Sequence, residues 1–227
     1  MTVGSNLTPT LLAVAHGTTN PAGLAEIGRL LDLVRTNRPG LTVELCWLDR
    51  AEPDLPSALA NLTGSVVIVP VLLSTGYHVK VDIPSAVAGR PATAISPPLG
   101  PDPRITAAVA HRLREVTPQP QSDVVLIASG SSDPEAAEQL GEVAKSLGSI
   151  IDATIHPRTL ADDRWFDDLP QPCSVANYLL APGHFNDRVQ REAKHVSTEP
   201  AAEPIGAHPL VAEVILERYD AAARHLS

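Results

Sequence analysis

Two of the eight histidines in this 227-residue chain stand where an α/β protein does its chemistry. His16 follows directly on the apolar run Leu11 to Ala15, and His78 lies just past the apolar run Val66 to Leu73. If both runs are strands of one parallel sheet, both imidazoles project from its carboxyl edge, where ligands bind in open α/β sheets. The run between them, Leu41 to Leu48, ends at Asp49, with Glu52 close behind. Two imidazoles and a carboxylate converging on one edge can bind a first-row divalent ion, or can accept protons near neutral pH. Around them, Gly17, Thr18 and Thr19 precede one helix start, and Ser74, Thr75 and Gly76 form a second polar loop. Backbone N–H groups and hydroxyls of this kind suit anionic groups. Lys80 and Arg50 add local positive charge beside them. His111, His156, His195, His208 and His225 are scattered over helices and irregular segments and read as structural, His208 as the start of the helix that opens with Pro209.

The elements that must carry these residues follow from periodicity and from proline placement. After HGTTNP, Leu24, Ile27, Leu31 and Val34 recur at helical spacing, and Asn20-Pro21 is an N-cap followed by the residue best suited to the first helical position. Arg38-Pro39-Gly40 ends that helix; Leu41 to Leu48 reads as a strand, Pro53 to Leu62 as a short helix and Val66 to Leu73 as a strand covered on both faces. Pro70 conflicts with a central ladder position, so a bulge or an early strand end is expected there. Ser74 to Val81 reads as a loop, Asp82 to Val87 as a helix, Ala92 to Ser96 as a fourth strand, and Asp102-Pro103 caps a helix carrying Ile105, Val109, Leu113 and Val116. Strands alternating with helices imply right-handed crossovers and a doubly wound parallel sheet.

The second half repeats this plan. Val124 to Ala128 is again a short strand, Asp133-Pro134 again a cap, and Leu140, Val143 and Leu147 again an apolar stripe. Ala15-His16-Gly17 falls on Ala128-Ser129-Gly130 at an offset of 113, while His78 falls on His184, Gly100 on Gly206 and Pro103 on Pro209 at an offset of 106. One deletion in a duplicated unit leaves such a pattern. Two similar α/β halves, residues 1–120 and 121–227, are therefore expected, joined near Thr117 to Ser122, with a final helix from Pro209 to His225 and a cleft between them.

Composition narrows the class. Lys plus Arg is 17 and Asp plus Glu is 26, a net charge of −9, with only 7 aromatics (2 Trp, 3 Tyr, 2 Phe), so nucleic acid is not the expected partner. No apolar run approaches the length of a membrane-spanning helix, and Met1 to Thr10 lacks the basic start of an export signal, which makes the cytoplasm the expected compartment. Cys46 and Cys173 form no CxxC and read as small buried hydrophobes. No GxSxG elbow, GxxxxGK[ST] loop or GxGxxG helix start is present, which removes serine hydrolases of that type, P-loop NTPases and dinucleotide enzymes.

AHGTTNP after the first strand, CWLDRAEP after the second and VPVLLSTGYHVKVDIP across the third resemble the class II tetrapyrrole chelatases, the sirohydrochlorin cobaltochelatases and ferrochelatases. The similarity is clear from Leu11 to Val116 and weaker from Val124 to Tyr219, where PGHFNDRV and PIGAHPL carry it. The resemblance implies insertion of Co2+ or Fe2+ into sirohydrochlorin, on the route to sirohaem or cobalamin, with no cofactor beyond the substrate ion. It implies that His16 and His78 hold the metal and, with Asp49, take macrocycle protons, while Gly17, Thr18, Ser74, Thr75, Lys80 and Arg50 face the substrate. Asp49 stands where a Glu is usual, and Glu52 or Glu44 could substitute for it. Ser129 replaces the first histidine in the second half, so one competent site, in the first half, is expected. A duplicated chain holds its own pseudo-twofold partner, which is compatible with a monomer. The alternative is a paralogue that binds the metal or the tetrapyrrole without turnover.

Overall fold

A computed structural model describes residues 8–162, 164–197 and 199–226; the expectation for the extreme N-terminus falls largely outside them. Four strands, β1 (Thr10–Ala15), β2 (Val43–Trp47), β3 (Val66–Val71) and β4 (Thr93–Ile95), form a parallel sheet in the order β2-β1-β3-β4. Three more, β5 (Asp123–Ala128), β6 (Thr154–Thr159) and β7 (Ser174–Tyr178), form a second parallel sheet in the order β6-β5-β7. The helices are α1 (Pro21–Asn37), α2 (Leu55–Asn61), α3 (Ile83–Ala86), α4 (Pro103–Val116), α5 (Pro134–Ile151), α6 (His184–Ala193) and α7 (Pro209–Ala223). Asn20, Asp102 and Asp133 cap α1, α4 and α5 through their side-chain oxygens, and a proline occupies the first turn of each. His208 caps α7, its ring accepting the Leu210 N–H at 3.2 Å.

The two sheets face one another across a shared helical layer. Leu11, Ala13, Val67 and Val69 of the first sheet, Val124 and Leu126 of the second, and the buried stripes of α1, α4, α5 and α7 make one continuous core. The outer faces are covered separately, by α2 and Ile83 on the first sheet and by α6 with Trp165 and Phe166 on the second. Helix α4 belongs to the first half in sequence yet packs on α5 and β7, while α7 of the second half packs on α1 and β3. The halves exchange helices.

Pro70 neither bulges nor ends its strand, contrary to the sequence expectation: β3 pairs with β1 without interruption from Thr10↔Val66 to Ala15↔Val71. The carbonyl of Ile68 accepts Ser96 N–H, so even-numbered residues of β3 point toward β4. Strand β4 ends at Ile95, and the N–H that Pro70 lacks would face the space beyond it, not a ladder partner. The second correction concerns the expected loop before residue 82. His78–Asp82 is a wide helical turn of π geometry running into α3. The final helix also closes earlier than expected, at Ala223, with a 3₁₀ turn from Arg224 to Leu226.

Candidate functional site

Strand β1 ends at Ala15, so His16 is the first residue beyond the sheet, and it is exposed. The chain turns there because Gly17 adopts φ +96°, and a Cβ at that position would overlap the carbonyl oxygen of Asp49. The amide of Asp49 donates to the carbonyl of His16 at 3.0 Å, which locks the end of β2 against the end of β1. His78 enters from the end of β3 on the π turn, a geometry that recurs at functional sites. The two imidazoles meet edge to face, with ring centroids 5.0 Å apart and planes at 83°.

The far side of each ring is held. Asp82, one turn on from His78, approaches its Nδ1 to 2.6 Å, and Nδ1 of His16 lies 3.3 Å from the carbonyl of Gly17. Each Nδ1 is thereby the donor side, which leaves each Nε2 lone pair available as ligand or proton acceptor. Asp82 was not singled out as a working residue from sequence; the signal that finds it is its spacing of four from His78 on a helical turn.

The remaining expected residues divide. The Asp49 carboxylate lies at the exposed end of β2 and accepts Arg50 Nε at 3.1 Å, so these two charges satisfy one another. Glu52 accepts the amide of Asp54 at 3.1 Å, and Glu44 lies exposed within β2. Thr18 accepts the amide of Asn20 at 3.0 Å. Thr75 is buried, and its N–H is already taken by Gln139 Oε1 at 3.0 Å. Lys80 reaches across to Asp133 at 2.5 Å and Glu135 at 2.8 Å. Those carboxylates raise the lysine's pKa, and the ammonium holds Asp133 below the usual carboxylate range. Among the described residues, no group of three or more His, Cys, Asp or Glu side chains is arranged to hold a metal ion.

In the second half, His184 opens α6 as His78 opens its turn, but Ser129 stands in place of a first histidine. Arg188, at the position matching Asp82, is turned away: it donates to the carbonyls of Leu160 at 2.7 Å and Asp162 at 3.4 Å and lies 4.4 Å over the Trp165 ring. Of the histidines read as structural, His156 pairs with Asp123 at 2.7 Å and His111 with His208 at 3.2 Å. Both cysteines are buried, and burial, with Asp54 nearby, pushes the Cys46 thiol up to about 12, so it offers no thiolate.

Residues 10–116, the segment that carries both imidazoles, match the CbiX family model. The chain is similar to the CbiX family over this segment, 107 of its 227 residues. The sirohydrochlorin ferrochelatase of Bacillus subtilis (strain 168) is 27% identical to it over 233 residues, covering 92% of this chain and 89% of that protein. The sirohydrochlorin cobaltochelatase of Methanosarcina acetivorans is 27% identical over 82 residues, covering 34% of this chain and 63% of that protein. The sirohydrochlorin chelatase SirB of Bacillus subtilis subspecies spizizenii, solved in complex with cobalt, superposes with a TM-score of 0.81 at 23% identity, over 96% of this chain and 97% of that one. The fold is shared along the whole length, whereas the family match is confined to the first half, where the imidazole pair lies. Among the described residues no helix is long and apolar enough to cross a membrane.

Proposed function

We propose that this protein inserts Co2+ or Fe2+ into sirohydrochlorin, as a lyase-class chelatase of sirohaem or cobalamin synthesis. The observation that carries the reading is the facing pair of His16 and His78, 5.0 Å apart, each with Nδ1 engaged and Nε2 free. Metallation strips water from a divalent ion, forms four metal–nitrogen bonds and releases two pyrrole protons. A neutral imidazole serves both needs at neutral pH, as ligand to the arriving ion and then as proton acceptor. Asp82 fixes the tautomer and orientation of His78 through the 2.6 Å contact. Asp49 flanks His16 through the backbone bond between them and is the carboxylate assigned to receive a proton from that side of the pair.

On this reading residues 1–120 supply the reactive wall and residues 121–227 the facing wall. The loops at Gly17, Thr18, Ser74 and Thr75 border the macrocycle, with Arg50 beside its carboxylates once it exchanges Asp49, and Lys80 near them while it stays held by Asp133 and Glu135. The enzyme acts in the cytoplasm as a monomer, with the ion as substrate and no further cofactor, and it engages neither nucleic acid nor membrane. The test is anaerobic incubation of sirohydrochlorin and Co2+ or Fe2+ with substoichiometric protein. Absorbance change continuing past one equivalent of protein is the expected result; an endpoint at one equivalent would mean a binding protein without turnover.

A further inference from the structure

The segment that carries His78 is held on its C-terminal side by its own half, where Ile83 N–H donates to the His78 carbonyl and Ile83 is buried in the core. Between the end of β3 at Val71 and the π turn, its own backbone provides the bond from Lys80 N–H to Gly76 O at 2.9 Å, and Leu99 N–H reaches Leu72 O at 2.8 Å. Further fixation comes from the second half. Tyr178, buried at the end of β7, donates its hydroxyl to the carbonyl of Leu73 at 3.1 Å. Gln139 of α5 accepts the buried Thr75 N–H at 3.0 Å and donates through Nε2 to Glu135 at 3.2 Å. Glu135 in turn accepts Lys80 at 2.8 Å, beside Asp133 at 2.5 Å. Gly76 lies so close to Ser131 that an added Cβ would sit 2.9 Å from its hydroxyl. Thr75, Gln139, Glu135 and Lys80 therefore form one hydrogen-bonded chain that fastens the segment on both sides of His78.

The duplication supplies a control within the molecule. At the offset of 113, the positions matching Glu135 and Gln139 on α1 are Ala22 and Glu26, and the position matching Lys80 at the offset of 106 is Asn186. Glu26 bonds the amide of Ala207, and Asn186 bonds Asn177. No reciprocal chain fastens the segment around His184 among the described residues, so the clamp is not a general consequence of the fold.

We infer that Glu135 and Gln139 are positioning residues that hold His78 opposite His16, and that this is the working role of a half that has lost its own histidine pair. The inference deepens the chelatase reading and rests on it for the metallation readout, but not for the metal-binding readout. Both ends of a six-residue span are tied to α5, and releasing one end lets the His78 ring drift from the 5.0 Å arrangement. Residues that orient a ligand in this way are typically worth about tenfold or more in metal affinity or rate.

The experiment compares Gln139→Leu, which keeps the volume and removes the acceptor, with the exchange of Glu135→Gln plus Gln139→Glu, which keeps an acceptor for Thr75 N–H and one amide donor between the two side chains, and adds Glu135→Gln alone and, as a control on the same helix, Glu138→Gln. Each is measured for Co2+ affinity by visible titration, for kcat and KM of metallation, and for Tm. Gln139→Leu is expected to weaken Co2+ binding and lower kcat by about tenfold with KM nearly constant. The exchange should restore most of both, Glu135→Gln alone should lose about threefold because an amide oxygen still accepts Lys80, and Glu138→Gln should match wild type. A lower Tm with unchanged Co2+ affinity and unchanged kcat in Gln139→Leu overturns the inference, as does failure of the exchange to restore either. If wild type binds Co2+ but does not turn over, the chelatase reading fails while the Co2+ titration still decides the positioning role.

Discussion

Replacing Asp82 tests the site most directly, because that carboxylate touches the pair only through His78. Its Oδ2 lies 2.6 Å from Nδ1 of His78, and the two side chains are 39% and 36% exposed. A hydrogen bond with a charged partner contributes about 1.5–3 kcal/mol, and solvent screening at this exposure places the pair near the lower end. About 1.4 kcal/mol corresponds to a factor of ten. Asp82→Ala is therefore expected to weaken Co2+ binding about tenfold and to slow metallation by a similar factor, since the ring loses the acceptor that fixes its orientation and tautomer. Asp82→Asn retains an acceptor oxygen for Nδ1–H but no charge, and should fall between Asp82→Ala and wild type. The pair is too exposed to matter much to the fold, so Tm should move by less than about 3 °C. Visible Co2+ titrations, steady-state metallation and thermal melts of the three proteins suffice. Wild-type affinity and rate in Asp82→Ala would refute the role given to the 2.6 Å contact, and a collapse of Tm in step with activity would show that the residue serves the fold.

Three further outcomes are expected. His78→Ala should lower the metallation rate by about 100-fold or more, whereas His184→Ala should mainly raise the substrate concentration required; steady-state kinetics giving the larger kcat loss to His184→Ala would move the active site to the second half. Asp49→Asn should slow metallation about tenfold while Glu52→Gln stays within about twofold, because Glu52 is occupied by the Asp54 amide; the reverse order would assign the carboxylate to Glu52. His208 is held below its ordinary 6.5 by burial and by His111 and Arg112, so the unfolded chain binds its proton first as pH falls, and stability should decline from pH 6.5 downward until the folded residue also titrates; melts of His208→Asn, which keeps a capping oxygen, should show a shallower decline over pH 7.5 to 5.

Local rules made much of this molecule legible. Short Val/Ile/Leu runs set the strands, and Asn20-Pro21, Asp102-Pro103 and Asp133-Pro134 marked three helix starts that the caps bear out. His16 and His78 were found because a strand end is visible in sequence. Pro70 misled because proline reports a missing N–H, not whether a neighbouring strand extends far enough to need it. The π turn was read as loop because five residues are too few to show a helical period. Once that turn was missed, the spacing of His78 and Asp82 carried no meaning. The exchange of α4 and α7 was also invisible, since an amphipathic stripe shows that a helix buries one face but not which sheet covers it. Glu135 and Gln139 look, in sequence, like the solvated face of α5, and only the packing of the halves gives them partners.

The duplication makes the placement of the chemistry a question of what each half retains. Both halves end a central strand with a glycine turn, Gly17 at φ +96° and Gly130 at φ +84°, and both begin the later helical segment with a histidine. A backbone scaffold for two sites therefore persists. Side chains break the symmetry at three matched positions: His16 against Ser129, Asp82 against Arg188, and Lys80 against Asn186. The first change removes a ligand, the second replaces the carboxylate that would orient the ring with a cation tied to Leu160 and Trp165, and the third removes the bridge to the opposite half. Each loss alone would weaken a divalent-ion site, and together they leave His184 without a partner imidazole, an orienting acid or a fastened backbone. On the clamp inference the first half also depends on the second, because the acceptors that hold Thr75 and Lys80 lie on α5.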